Sequence, residues 1–83
     1  MKMKEIGKIA HYYPKIEVAV VELSDELKIG DKIGIEGSTT SFSQLVDSME
    51  IEHQRAEVAK QGQSIGLKVK ERVREGDKVY KLE

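Results

Sequence analysis

The sequence predicts an all-β protein, a small closed barrel of six or seven short strands. β-Branched residues are concentrated in brief runs, a pattern that favours strands over helices. Turn residues separate these runs. Two near repeats, LKIGDKIGIEG at 27–37 and RVREGDKVYKLE at 72–83, each place Gly-Asp-Lys directly before such a run. Short strands joined by tight turns are typical of small β-barrels.

The first two strands are predicted on either side of the single proline. Residues 4–13 form the first strand. Pro14 lacks an amide donor and fits a connection better than a strand interior. Residues 16–23 form the second strand, which is apolar on both of its faces. One face carries Ile16, Val18 and Val20, and the other carries Ala19, Val21 and Leu23.

Each Gly-Asp-Lys is predicted to be a turn that launches a strand. Glycine adopts a positive φ without steric cost, and an aspartate side chain can bond the nearby backbone. Gly30-Asp31 precedes a strand over residues 33–35, and Gly76-Asp77 precedes a final strand over residues 79–82. The repetition therefore indicates shared turn chemistry and does not require a duplicated domain.

Residues 42–53 fit two structures. Phe42, Leu45, Val46 and Met49 fall at the spacing of a helix face, but alternation through the same residues also fits a bulged strand. On these residues alone, helix and strand are equally supported. The next segment contains a turn at Gly62 and then a strand over residues 65–69.

Length and composition predict one soluble domain spanning residues 1–83. A chain of 83 residues has room for one modest core. Cysteine is absent, which excludes disulfides and thiolate metal sites and fits a reducing cytoplasm. Because no stretch is apolar enough for a signal peptide or a membrane span, we expect a cytoplasmic protein that is not bound to a membrane. A charged fraction of 35%, with no asparagine, is typical of proteins from hot environments.

Charge is unevenly distributed along the chain. Residues 16–57 carry ten acidic and three basic side chains, a net charge of −7, whereas the remaining residues at the two ends carry eleven basic and five acidic side chains, a net charge of +6. If the two ends lie together, the protein has a positive side.

Several segments, taken in order, resemble a known family. They are IGKIAHYYPKIEVAVVEL, LKIGDKIGIEG, FSQLVDSMEIEH, VAKQGQSIGLKV and VREGDKVYKL, and they extend from residue 6 to residue 82. This succession resembles the β-barrel second domain of translation elongation factors such as elongation factor Tu, and most of all the small stand-alone archaeal proteins of elongation-factor type. It is also similar to the barrel at the C-terminus of collagenase-like peptidases that act in RNA modification.

The resemblance implies a Greek-key-like barrel of the elongation-factor second-domain type, in which residues 42–53 form a strand. One departure is Gly62-Gln63, where relatives place Gly-Asp, so glutamine replaces the side chain expected to bond this turn. In the GTPases this barrel contacts the GTPase domain and the aminoacyl end of tRNA. The chain contains no G-x-x-x-x-G-K-[ST] loop, so we exclude GTPase activity and expect neither a nucleotide nor a cofactor.

A broken basic stripe is a candidate contact for RNA. Four basic residues recur at every second position from 68 to 74 and would share one face of an extended strand, suited to following a phosphate backbone. Upstream, a lysine close to two tyrosines would add a stacking surface. Acidic residues interrupt the stripe, so a solvated face is the alternative interpretation. The candidate contact residues for RNA or another partner are Lys8, Tyr12, Lys68, Lys70, Arg72 and Arg74.

Other chemistry-bearing residues predict no site. His11 and His53 are the only histidines, and they do not form an H-x-x-H or H-x-x-x-H metal motif. The serine and threonine hydroxyls lie outside nucleophile motifs such as G-x-S-x-G. Tyr12, Tyr13 and Tyr80 are expected to plug the ends of the barrel rather than to stack on bases. We assign no catalytic residue and no metal ligand.

These observations lead to two hypotheses about function. The first is a non-catalytic binding module linked to translation or RNA metabolism, which presents one barrel face to a protein partner, to structured RNA such as tRNA or rRNA, or to both. The second is a detached accessory subunit of an RNA-modifying or peptidase-like enzyme, which positions substrate for a separate catalytic chain. Both rest on fold analogy, which does not by itself establish function.

Overall fold

In a computed structural model that describes residues 3–82, the chain is all-β, with ten strands and no helix among those residues. The all-β prediction is confirmed. Eight strands form one sheet, in the order β5-β4-β10-β1-β2-β9-β6-β7, and the remaining pair, β3 and β8, forms a second sheet. The strands are β1 (Met3–Tyr13), β2 (Val18–Leu23), β3 (Leu27–Lys28), β4 (Lys32–Glu36), β5 (Ser41–Leu45), β6 (Met49–Ile51), β7 (Gln54–Arg55), β8 (Val58–Ala59), β9 (Ser64–Lys68) and β10 (Lys78–Leu82).

The prediction of a closed barrel of six or seven strands is wrong. Among the described residues the large sheet is open, and each of its edges, β5 and β7, pairs with a single neighbour. Residues 42–53 contain no helix, as the family resemblance implied, but they form parts of two strands, β5 and β6, followed by a loop at residues 52 and 53, instead of one strand. Pairing with the β4 side of the sheet ends at Val46, whose N–H donates to the carbonyl of Asp31 at 2.9 Å, and pairing with β9 begins at Met49.

The core lies on one side of the sheet. On β2 the inward face carries Ala19, Val21 and Leu23, all buried, whereas the opposite face is only partly covered. Irregularities in the β1 ladders let Ile6 and Ile9, three residues apart, both point inward. The buried apolar residues are Ile6, Ile9, Ala19, Val21, Leu23, Leu27, Ile33, Ile35, Val46, Met49, Ala59, Ile65, Leu67, Val69, Val73 and Val79.

Three turns share one local structure, and the two Gly-Asp-Lys repeats are members of this set. They are residues 28–31, 60–63 and 74–77, and each has a glycine at its third position with φ of +93°, +89° and +92° respectively. In each turn the N–H of the fourth residue donates to the carbonyl of the first at 3.1 Å. A positive φ at the third position defines a type II turn, which glycine adopts without strain.

A side-chain oxygen at the fourth position completes each turn. The N–H of the first residue donates to Asp31 Oδ2 at 2.9 Å, to Gln63 Oε1 at 2.7 Å and to Asp77 Oδ2 at 2.9 Å. Gln63 therefore makes the bond expected of an aspartate, because its amide oxygen reaches the same N–H. The departure from Gly-Asp at this turn does not remove the side-chain bond.

Each turn also extends a strand ladder by one residue. The glycine N–H and the carbonyl of the following residue exchange two hydrogen bonds with one partner on the facing chain, at 2.8 to 3.0 Å. The partners are Val46, Leu23 and Ile9. The next residues along each chain are the first paired residues of β4–β5, β9–β2 and β10–β1. Since the turn and the ladder share these bonds, each turn fixes the register of one strand pair.

A buried glutamine connects the β5 edge to the chain beyond β9. Gln44 is 5% exposed. Its Nε2 donates to the carbonyl of Lys68 at 2.9 Å, and its Oε1 accepts a hydrogen bond from the N–H of Lys70 at 2.8 Å. A side chain thus links two segments that no backbone ladder joins.

We predict that Gly30→Ala, Gly62→Ala and Gly76→Ala each lower the free energy of unfolding by about 1–2 kcal/mol, the cost of a left-handed conformation for a residue with a Cβ. The three costs should be similar because no atom lies within 4 Å of the added Cβ in any of them, which leaves backbone strain alone. Urea denaturation of each variant measures the change.

Gly34→Ala is the matched control. Its φ is not positive, and the added Cβ would meet Leu82 Cδ2 at 3.5 Å, an ordinary contact. Because alanine is favoured over glycine inside a strand, its stability should be unchanged or higher by up to about 1 kcal/mol. Turn variants no less stable than this control would contradict the role given to the three turns.

Candidate docking cleft

The outward face of β2 carries a row of apolar side chains that are not part of the core. Val18 and Val20 are half-buried on this face, and Ile16, just before the strand, is 58% exposed. Outward positions of a one-sided sheet are normally polar. This row is therefore an unusual apolar feature of the protein surface.

The apolar row forms the floor of a cleft of about 280 Å³ on the outer side of β2, β9 and β6. Register places Val20 of β2 opposite Gly66 of β9. Because Gly66 has no side chain, the floor stays open beside Val18; a Cβ built there would lie 3.4 Å from Val18 Cγ1. The lining residues are Tyr13, Ile16, Val18, Val20, Glu50, Glu52, His53, Ser64, Ile65 and Gly66.

Strained backbone is concentrated around this cleft. Among residues 3–82, the non-glycine residues with a positive φ are Glu17 at 56°, Glu52 at 51° and His53 at 65°. Glu17 lies between two floor residues. Glu52 and His53 form the two-residue hairpin loop between β6 and β7 and also line the cleft. Positive φ at both loop positions is the type I′ geometry, which Asn-Gly adopts most readily. Strain of this kind is found most often at functional sites.

The acidic residues of the cleft are unpaired. Glu50 and Glu52 are exposed, and neither carboxylate has an ion pair shorter than 4 Å or a hydrogen bond among the described residues. Arg55 faces Glu50 across the β6–β7 pair without coming within that distance. Nearby, Lys68 Nζ is held by Glu17 Oε1 at 3.8 Å and donates to the carbonyl of Ile16 at 3.1 Å. The cleft thus presents two free carboxylates above an apolar floor.

One wall of the cleft is an aromatic residue held by its neighbours. Tyr13 is 49% exposed, and its ring packs edge-to-face on the His11 imidazole with the centroids 4.5 Å apart. His11 Nδ1 lies 3.1 Å from Glu75 Oε2. These contacts place the Tyr13 ring outward, so it does not plug an end of the core as expected, whereas Tyr12 packs against the core and Tyr80 is half-buried.

The four basic residues predicted to form a stripe do not lie on one strand. Lys68 is the last residue of β9, and Lys70, Arg72 and Arg74 follow in irregular backbone. Val69 and Val73 between them are buried, but the backbone bends at residues 70 and 71, so the run is not extended along its length. All four are exposed. Contact between these residues and RNA stays a prediction. The four side chains do not, however, form the single straight stripe that was expected to make this contact.

Lys8 and Tyr12, the other two candidate contact residues, lie on opposite sides of β1. Lys8 is exposed and pairs with Glu22 across the ladder, with Nζ 4.0 Å from Oε1. Tyr12 is partly buried against the core. The ladder irregularity between Ile9 and His11 reverses the alternation between these positions. Tyr13, not Tyr12, is the tyrosine that faces outward.

Among residues 3–82, no three His, Asp or Glu side chains are grouped closely enough to hold a metal ion, and no helix is long and apolar enough to cross a membrane. Ser64, His53 and Glu50 line the same cleft and are the residue types of a hydrolytic triad. No hydrogen bond joins any two of them. A serine nucleophile requires a base within hydrogen-bonding reach.

Sequence reasoning did not identify the cleft, although one signal was present. The second strand was predicted to be apolar on both faces, and a sheet with a single core needs only one apolar face. The strained loop gave no signal, because Glu-His at residues 52 and 53 is not a recognised type I′ sequence.

The comparisons with known proteins point to peptidases. No protein-family model matches the sequence. The chain is 48% identical over 79 residues to a protein of Methanocaldococcus jannaschii described as an uncharacterized protease, covering 94% of this chain and 19% of that protein. It is 42% identical over 80 residues to a collagenase of Porphyromonas gingivalis, covering 94% of this chain and 22% of the collagenase. The chain therefore spans about a fifth of the length of these relatives.

Solved structures show the same fold. The chain superposes on the C-terminal domain of a putative U32 peptidase of Geobacillus thermoleovorans with a TM-score of 0.90 at 20% identity, covering 96% of this chain and 93% of that one. A selenomethionine form of that domain gives a TM-score of 0.87 at 20% identity, covering 92% and 96% of the two chains.

The comparisons overturn the main part of the resemblance stated above. The matched relatives are named as a protease and a collagenase and the matched structures are peptidase domains, so the assignment to stand-alone elongation-factor-like proteins, and with it the translation-linked binding module, is wrong. The similarity to the C-terminal barrel of collagenase-like peptidases fits these findings. They favour the second hypothesis, an accessory part of a peptidase-like enzyme.

We predict that Glu52→Asn/His53→Gly raises the free energy of unfolding by about 1 kcal/mol, because Asn-Gly relieves the strain of two positive φ angles. Urea denaturation measures the change. Thr39→Gly, in the loop between β4 and β5 where no residue has a positive φ, is the control and should lower stability slightly. A double variant that is not more stable than the wild type would contradict the strain assigned to this loop.

Proposed function

We propose that this chain acts as a non-catalytic accessory β domain of a peptidase-like enzyme and that it docks through its cleft onto the rest of that enzyme. The observation that carries the proposal is the extent of the match to the protease relative. It covers 94% of this chain at 48% identity but only 19% of the protease. Almost the whole chain thus corresponds to one segment of a much longer protein.

The exposed apolar floor of the cleft supports docking. Ile16 and Tyr13 are 58% and 49% exposed, beside two half-exposed valines. Grouped apolar surface of this kind marks contact sites for other proteins or domains. Interfaces between domains of one protein commonly bury 600–1,500 Å², roughly, and they combine apolar and polar groups as this cleft does.

A supporting rather than catalytic role agrees with the chemistry of the cleft. Its serine, histidine and glutamates are not joined by hydrogen bonds, so the cleft offers no activated nucleophile. In this proposal the catalytic groups belong to the other four-fifths of the enzyme, and this chain holds that part in position. The partner is a protein, and neither a nucleotide nor a cofactor is part of the proposal.

The proposal also covers the location of the protein and the connection of its strands. A cytoplasmic location is supported by the absence of cysteine in all 83 residues. A Greek-key-like arrangement is supported by the strand order, since β10 returns to pair with β1 and β4, whereas β9, which precedes it in the chain, pairs with β2 and β6.

A full-length chimera tests the proposed function. In it, this chain replaces the matched segment of the Methanocaldococcus protease. Hydrogen exchange measured by mass spectrometry should be slower in the chimera than in the isolated chain over residues 13–20, 50–53 and 64–66, because docking covers these backbone groups. Equal exchange over these residues in both proteins would contradict the proposal.

Ile16→Ser and Leu45→Ser form a matched pair for this experiment. Both side chains are largely exposed, 58% and 50%, so neither change should alter stability by more than about 0.5 kcal/mol. Ile16 lines the cleft and Leu45, on β5, does not. Ile16→Ser should therefore reduce the protection in the chimera, and Leu45→Ser should leave it unchanged.

A further inference from the structure

We propose that the group received by the cleft is an apolar side chain flanked by lysine or arginine, presented by a segment of the peptidase-like protein. The inference rests on the proposed function and adds the chemistry of the segment that docks. It follows from the size of the cleft, the nature of its floor and the charge at its rim.

The cleft has the size of a side-chain pocket. A volume of about 280 Å³ lies at or below the lower end of the range for pockets that enclose whole small molecules, roughly 300–1,000 Å³. One or two side chains fill such a space. The floor, made by Val18, Val20 and the open position at Gly66, offers aliphatic contacts and favours an aliphatic or aromatic occupant.

The rim of the cleft selects positive charge. Glu50 and Glu52 are exposed carboxylates without a charged partner among the described residues. In contrast, six ion pairs among the described residues engage other acidic residues, including Glu17 and Glu22 on the same side of the sheet. Lys68 does not neutralise the rim, because Glu17 and the carbonyl of Ile16 hold its ammonium group. Lysine or arginine side chains on the docking segment would form ion pairs with Glu50 and Glu52.

The hairpin loop restricts the backbone that carries one of these carboxylates. Glu52 lies in the two-residue loop at positive φ, and the β6–β7 pairing on both sides restricts its backbone. A charge on a rigid loop loses less conformational entropy when it forms an ion pair than a charge on a flexible one. In this proposal the strained loop has a role, because it holds the Glu52 backbone at the rim of the cleft.

Phosphate-bearing ligands fit this cleft poorly. Two unpaired carboxylates repel a phosphate backbone, whereas they attract lysine and arginine. The cleft and the basic residues at 70, 72 and 74 are therefore surfaces of opposite sign on the same chain. Binding of tRNA at the cleft, in competition with a basic peptide, would contradict the inference.

Three labelled peptides test the inference on the isolated chain. Each is a short linear peptide with a central residue between two flanking pairs: leucine between lysines, alanine between lysines, and leucine between glutamates. Fluorescence anisotropy at about 50 mM salt should show the first binding with a dissociation constant of the order of 0.1–1 mM, as expected of a short flexible ligand. The other two should bind at least five-fold more weakly.

Substitutions at the rim make the test specific. Glu50→Gln/Glu52→Gln should weaken binding of the leucine–lysine peptide about three- to ten-fold, the range expected from the loss of two exposed ion pairs. Glu71→Gln, which also neutralises an exposed glutamate but lies outside the cleft, should leave binding unchanged. Equal affinity for the lysine- and glutamate-flanked peptides, or no effect of the double substitution, would overturn the inference.

The chimera separates this inference from the proposed function. If Ile16→Ser reduces protection in the chimera and Glu50→Gln/Glu52→Gln does not, the docking role stands and the requirement for basic residues is wrong. If protection of the cleft is absent in the unsubstituted chimera, the docking role itself is wrong.

Discussion

The register of three strand pairs is the constraint on which this structure depends, and three turns of one kind set it. In each turn a glycine and the residue after it exchange hydrogen bonds with one facing residue, directly before the first paired position of a ladder. A slip of one residue would move every inward side chain to the outer face. A chain of 83 residues has a small core and gains much from fixing register locally.

The cleft follows from this constraint. The turn at 60–63 begins β9 in the register that sets Gly66 against Val20, and this pairing opens the floor of the cleft. The same register directs Ala19, Val21 and Leu23 inward, so the other apolar row of β2 faces outward. Exposed aliphatic surface and strained non-glycine residues both lower stability, and here they occur together. A contact surface for another domain accounts for both features at one place. An isolated domain would have no use for either of them.

Sequence reasoning succeeded where the determining interactions are local. Gly30-Asp31 and Gly76-Asp77 were predicted as turns because glycine and aspartate chemistry acts within four residues. It failed where distant groups decide: β5 pairs with β4 and β6 pairs with β9, and no periodicity in residues 42–53 reports that change of partner. The cleft was missed for the same reason. The sequence indicated that both faces of β2 are apolar, but the packing of the neighbouring strands determines which face is buried.

A crystal structure of the full-length chimera tests the central claim most directly, because it shows which face of this β domain meets the rest of the enzyme. The account predicts that the outer face of β2, β9 and β6 is covered. An apolar side chain should lie over Val18 and Val20, and a lysine or arginine nitrogen should lie within about 4 Å of Glu50 or Glu52, the usual limit of an ion pair. A structure in which this face is open to solvent, with contacts made instead by residues 70–74, would contradict it.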